Sequence, residues 1–194
     1  EYDEALRMYE KAEEMGFDSY TSKKRIADVY LAKKNPSESI GIYKNMIQTN
    51  LVSPEVYDLL GSAYQLGGQF DLAERTFKEM CQRYPDNPHA FYKLGLFYGF
   101  IKEYDRSITQ FNKALKMVPD NLTILKSMSL AYNQKGDKYK AIEIAKKILE
   151  IIPNSIPDKL YLATLYDGAK EFGNAIRLYR EIISQEPRNV IALN

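Results

Sequence analysis

Apolar residues recur along this chain at helical spacing, and the spacing itself recurs. Tyr57, Leu60, Gly61 and Tyr64 stand three and four residues apart, which puts them on one face of a helix. Ala73, Phe77 and Met80 do the same after Gly67-Gly68, where a first helix must stop and reverse. The layout then returns. Tyr30, Tyr64, Tyr98, Tyr132 and Tyr166 are each thirty-four residues apart, and Pro85, Pro119, Pro153 and Pro187 keep the same interval. A fixed period of this length marks a stack of identical supersecondary units, a solenoid, in which each unit contacts its neighbours.

Units counted from Tyr20, Pro54, Pro88, Leu122 and Ile156 align position by position. Position eight is small: Ala27, Gly61, Gly95, Ser129, Ala163. Position twenty is small too: Ser39, Ala73, Ser107, Ala141, Ala175. Position twenty-four is large in four units (Tyr43, Phe77, Phe111, Tyr179) and is Ala145 in the remaining one. Small residues let two helices approach, and the aromatics fill the space beside them. Each unit therefore reads as helix, tight turn, helix, short linker. Ser53-Pro54 and Asn87-Pro88 supply a cap and a proline suited to the first turn. Asp3, Asp71 and Asp105 open second helices, where the macrodipole favours negative charge.

These residues resemble the tetratricopeptide repeat, whose pattern is W-x2-L-G-x2-Y, then A-x3-F, then P. Tyr57, Leu60, Gly61, Tyr64, Ala73, Phe77 and Pro85 give the fullest match, and Phe91, Leu94, Gly95, Tyr98, Ser107, Phe111, Ala114 and Pro119 the next. The resemblance implies an all-α fold, a right-handed superhelical solenoid of tandem antiparallel helix pairs. Two units depart from it with Lys23 and Lys159 at position four, and a third with Ala145. Those seams are expected to be thinner or looser. The pentatricopeptide family has a period one residue longer and fits less well.

The expected units are 20–53, 54–87, 88–121, 122–155 and 156–189, preceded by a second helix in 1–19 and followed by the start of a further helix at 190–194. The fragment looks cut from a longer array. Ala5, Tyr9 and Ala12 at one end and Ala175, Tyr179 and Ile182 at the other are expected to lie uncovered, which would favour self-association through the terminal repeats.

The formal net charge of +1, with acids and bases interspersed, is no footprint for nucleic acid. No apolar run reaches membrane-spanning length, so no membrane insertion is expected of this fragment. The lone Cys81 reads as a buried structural thiol; it excludes a disulfide within the chain and favours a reducing, cytoplasmic setting. The lone His89 cannot build a multi-histidine metal site. Phosphate-loop, dinucleotide, zinc-hydrolase and nucleophile-elbow motifs are missing from the sequence, and no cofactor is implied. Asn121-Leu122-Thr123 fits a glycosylation acceptor but reads as a helix cap.

Function must then lie on a surface. In the tetratricopeptide family the first helices line a concave side that binds extended peptides or a partner's helix. Carried over by position, that groove comprises Lys24, Arg25 and Asp28, then Asp58 and Ser62, then His89, Tyr92, Lys93 and Leu96. Lys126, Ser127 and Leu130 follow, then Tyr161 and Thr164. Tyr92 and Tyr161 are amphipathic anchors of the kind enriched at interfaces, and Lys24, Arg25, Lys93 and Lys126 form a loose basic line interrupted by Glu55 and Asp58. The clamp that grips chaperone tails is not assembled, since Lys24 is followed by Asp28, then Leu59, His89 and Lys93. The reading is a non-catalytic scaffold for a protein or peptide partner. Its alternatives are a self-assembling scaffold of a prokaryotic multi-protein assembly, as in magnetosome-type repeat proteins, and the regulatory or substrate-docking arm of an enzyme outside the fragment.

Overall fold

A computed structural model describes residues 2–186. The described chain is helical from end to end, without a strand. Five first helices, α2 (Ser19–Ala32), α4 (Pro54–Leu66), α6 (Pro88–Phe100), α8 (Leu122–Lys135) and α10 (Ile156–Gly168), alternate with second helices. These are α1 (Tyr2–Glu14), α3 (Pro36–Gln48), α5 (Phe70–Arg83), α7 (Tyr104–Met117), α9 (Lys138–Ile151) and α11 (Phe172–Gln185). The expected further helix at 190–194 lies outside the described residues.

The chain divides into two compact units, Glu1–Leu94 and Gly95–Asn194, and the division falls within α6. In the first, α1 packs on α2, α2 on α3, α3 on α4 and α4 on α5. In the second, α7 packs on α8, α8 on α9, α9 on α10 and α10 on α11.

One turn shape joins every first helix to its second. Position fifteen is left-handed in all five units, at Lys34, Gly68, Lys102, Gly136 and Lys170. The next N–H then reaches back to the carbonyl of the periodic tyrosine: Asn35 to Tyr30, Gln69 to Tyr64, Glu103 to Tyr98, Asp137 to Tyr132 and Glu171 to Tyr166. This is the six-to-one bond of a Schellman close, and it satisfies a carbonyl that the helix end would leave bare. The tyrosine interval and the turn are thus one feature. At the other ends, Ser53, Asn121 and Asp137 cap α4, α8 and α9 through their side chains.

The small positions do more than make room. The hydroxyl of Ser39 donates to the Ala27 carbonyl at 2.9 Å, and that of Ser107 to the Gly95 carbonyl at 2.7 Å. Ser129 does the same in reverse, from position eight to the Ala141 carbonyl at 2.8 Å. Tyr57 donates to Glu79 at 3.0 Å, Lys23 to Asn45 at 2.9 Å, and Lys159 to Glu181, each linking position four to position twenty-six. Low positions of one helix meet high positions of the other, so the two run antiparallel.

Two seams differ from expectation. Lys159 is buried, 5% exposed, and its ammonium is held by Glu181, so the polar residue at position four closes the seam instead of loosening it. Ala145 and Ser129 are both buried; Tyr161 of the next unit packs against the cluster that holds Ala145, with its hydroxyl 3.4 Å from that of Ser129. A neighbour's aromatic ring fills what the missing one leaves. Lys23 is held in turn by Asn45 and Glu13.

The end at α11 differs as well. Ala175 and Ile182 are fully buried, and Tyr179 is half-buried with its hydroxyl on Asp167 at 2.7 Å. Ala5, Tyr9 and Ala12 are half-buried. Positions twenty, twenty-four and twenty-seven face the first helix of their own unit, which for α11 is α10; in α1 the buried residue is instead Leu6, at position twenty-one, and Ala5 is more open than its fully buried counterparts Ser39, Ala73, Ser107, Ala141 and Ala175. The most exposed apolar residues near the start are Tyr2, Met8, Met15 and Phe17.

Candidate functional site

In the first unit, α2, α4 and the opening turns of α6 carry the residues expected to bind. Lys24 pairs with Glu55 at 2.9 Å, and Tyr20 donates to the same carboxylate at 3.1 Å. The Lys24 contact holds the Glu55 carboxyl below its usual range and the ammonium above its own. Asp58 lies mostly buried between His89 Nε2 at 3.2 Å and Lys93 Nζ at 2.9 Å, with the Ser62 hydroxyl at 3.4 Å. Burial alone would raise its pKa. The hydrogen bonds and charges of His89 and Lys93 outweigh that and hold it below the ordinary value. The His89 and Tyr92 rings sit 6.2 Å apart, tilted. Arg25 is exposed, and Asp28 accepts from the Tyr43 hydroxyl at 3.2 Å.

The second unit is more apolar. The far half of α6, the middle of α7 and the outer face of α8 enclose a pocket of about 290 Å³. Phe111 and Ser107 line it from α7; Leu96, Phe100, Ser127 and Leu130 stand around it. Leu96, Phe100 and Leu130 are all exposed. The space exists because Gly99 occupies position twelve and Ser127 position six. Between α8 and α10 the same positions hold Asn133 and Tyr161. Beyond the pocket, Lys126 reaches the buried Asp158 at 2.8 Å, and Ser155 donates to that carboxylate too. Tyr161 is half-buried, which raises its hydroxyl pKa, and Thr164 donates to the Tyr161 carbonyl at 2.7 Å. Ser127 donates to the Thr123 carbonyl at 2.9 Å.

Lys24, Lys93 and Lys126 therefore do not act as a basic line. Each is matched by a carboxylate on a neighbouring first helix, so the face is close to neutral locally. Position five of one unit meets position two or three of the next in Lys24–Glu55, Asp58–His89 and Lys126–Asp158. Sequence reasoning missed Phe100 as a pocket wall and Asp158 as a partner. A signal for the second was present: opposite charges thirty-one or thirty-two residues apart recur on first helices.

Cys81 is buried and in no disulfide, and His89 is half-exposed beside Asp58. No described helix is long and apolar enough to cross a membrane, and no cluster of metal-binding side chains occurs among the described residues.

Comparison with known proteins supplies the frame. Two tetratricopeptide repeat models match the sequence, one at residues 88–121 and 127–155 and the other at 55–87. No curated protein sequence matches the chain. Among solved structures, a MamA protein is 27% identical, with a TM-score of 0.62 over 77% of this chain and 81% of that one. MamA residues 41 to the end from Desulfovibrio magneticus RS-1 are 19% identical, with a TM-score of 0.72 over 89% of this chain and 98% of that one. A tetratricopeptide repeat protein from Parabacteroides merdae ATCC 43184 is 20% identical, with a TM-score of 0.73 over 90% of this chain and 69% of that one. With the repeat register, the left-handed turns and the helix pairs, these matches place the chain in the tetratricopeptide repeat family, as an all-α protein-interaction scaffold.

Proposed function

We propose that this chain is a non-catalytic scaffold that takes an extended segment or a helix of a partner protein against its first helices. The pocket bounded by Leu96, Phe100, Phe111 and Leu130 carries the reading. It offers exposed apolar walls over an aromatic floor, within a face whose charges are already matched. Such a surface suits an apolar side chain of a partner, held by burial and positioned by the polar groups around it. The repeat units 20–53, 54–87, 88–121, 122–155 and 156–189 are taken as the modules of this scaffold. Lys24, Arg25, Asp28, Asp58, Ser62, His89, Tyr92 and Lys93 are taken as a polar binding surface of the first compact unit; Leu96, Ser127 and Leu130, flanked by Lys126, Tyr161 and Thr164, are taken as an apolar one of the second. The test uses the chain as bait, and then the Leu96→Asp, Leu130→Asp double variant. A partner retained by the parent and lost by the folded variant supports the proposal. Equal retention would place the partner elsewhere.

Self-association is the second reading, favoured by the exposed Met8, Met15 and Phe17. Sedimentation over a range of concentrations tests it. A chain that stays monomeric removes it.

A further inference from the structure

The gap between α6 and α8 is emptier than its counterpart one unit on. Between α8 and α10, position six is Tyr161, a half-buried ring that packs against the cluster holding Ala145, with its hydroxyl 3.4 Å from that of Ser129. Between α6 and α8 the same position is Ser127, and position twelve is Gly99. The pocket of about 290 Å³ lies there, and every residue that lines it belongs to the second compact unit. It is room that an aromatic side chain takes one unit later.

Its size and its polar atoms narrow what can fill it. An apolar cavity of about 150 Å³ holds a benzene ring. The pocket is nearly twice that, so a single ring leaves much of it empty. Leu96, Phe100 and Leu130 wall it over Phe111, and none of the described residues that line it is charged. A charged side chain entering it would lose water and gain no counter-ion. The half-buried Ser127 hydroxyl has spent its proton on the Thr123 carbonyl at 2.9 Å, so any further bond at that oxygen is one it accepts. The best occupant is large, flat and apolar, and carries a donor that needs no donor in return. Indole has these properties, since its ring N–H donates only.

We propose that the pocket takes the tryptophan side chain of an extended partner segment, with the indole N–H donating to Ser127 Oγ. Gly99 sets the specificity by leaving room for the second ring, and Ser127 sets it by the lone pair it offers. The proposal rests on the pocket being the partner-binding site.

The probes are N-acetyl-tryptophan amide, its N-methyl-indole analogue, and the phenylalanine and tyrosine amides. Each is titrated into the isotope-labelled full chain and followed at the backbone amide resonances of Gly99 and Ala131. Saturable binding of the tryptophan amide is expected. The N-methyl analogue should bind about three- to tenfold more weakly, the worth of one hydrogen bond. The single-ring amides should be weaker by about threefold or more, because they bury less surface. Ser127→Ala should bring the tryptophan amide down to the level of its N-methyl analogue. Gly99→Leu should abolish binding by filling the space. A methyl carbon on Gly99 would lie 3.4 Å from Ser107 Oγ, an ordinary contact, so this variant should melt like the parent. Single-ring amides that bind as tightly as the tryptophan amide would overturn the tryptophan assignment and leave the pocket as an apolar site. A gap between the two indoles that persists in Ser127→Ala would overturn the bond to Ser127. Binding of no probe, or equal binding by Gly99→Leu, would overturn the reading of the pocket itself.

Discussion

Gly95 and Phe111 share one point of the seam between α6 and α7: a methyl carbon placed on Gly95 would lie 2.6 Å from Phe111 Cε1. Gly61 and Phe77 stand in the same relation, also at 2.6 Å. The ring is buried in both pairs, so it must shift before a larger side chain can enter. Gly95→Leu should therefore destabilise the chain by about 1–3 kcal/mol, the usual cost of overpacking. Lys93→Leu should cost much less, because it leaves Asp58 still bonded to His89. Urea midpoints of the two variants check this, and equal midpoints would contradict the register.

The left-handed turns give a prediction of opposite sign. Lys34, Lys102 and Lys170 hold φ of 58°, 63° and 63° at the position where Gly68 and Gly136 sit without strain. Replacing Lys170 by glycine should stabilise the chain by roughly 1 kcal/mol, the relief of left-handed strain in a residue with a side chain. Gly136→Lys should destabilise it by a similar amount. Thermal melts of the two variants should move in opposite directions.

Lys159 and Glu181 form a pair whose cation is buried and whose carboxylate is half-exposed. Lys159→Met should be close to neutral, since an apolar chain of similar length can fill the same space. Glu181→Ala should cost on the order of 2 kcal/mol, less than for a pair buried on both sides, because water can reach the vacated end. Denaturation of the two single variants separates these outcomes. A loss on Lys159→Met larger than that on Glu181→Ala would show that the ion pair itself holds the seam.

Asp58 sets an acid limit on the first unit. Its folded pKa is depressed by His89 and Lys93, so the folded state binds its proton less readily than the unfolded chain does. The stability it contributes is fully present above the unfolded carboxylate value, about 3.9. It is lost as pH falls through the lower folded value. Asp58→Asn should lower stability at neutral pH and flatten the acid limb of the stability profile. An unchanged acid limb in the variant would show that the pairs at Asp58 contribute nothing to folding.

The helix layout was legible because the evidence for it is local. A tyrosine every thirty-four residues, small residues at eight and twenty, and an aromatic at twenty-four each follow from one helix meeting the next. The polar ties were not legible, because each needs two residues on different helices. Lys159 read as a gap at position four until Glu181, twenty-two residues on, supplied its partner. Ala145 read as a void until Tyr161 of the following unit filled it. The exposed end was misread for a related reason. Ala175 and Ile182 face inward to α10, and the open side of α11 is the one bearing Ile176. Burial in a repeat depends on which neighbour a position faces, and a list of apolar residues does not contain that.

The lysines proposed to meet a partner are each already joined to a carboxylate: Lys24 to Glu55, Lys93 to Asp58 and Lys126 to Asp158. An acidic ligand that reaches one of them must exchange places with a resident acid. Like replaces like, and the free-energy difference between the two arrangements is small. On the proposed reading, charge on a ligand then decides which lysine it meets, and the apolar surface it buries decides how long it stays. Where the resident is Asp158, the displaced carboxylate is a buried one, and its desolvation opposes the exchange. A scaffold wired in this way would discriminate between ligands of equal charge by what surrounds the charge.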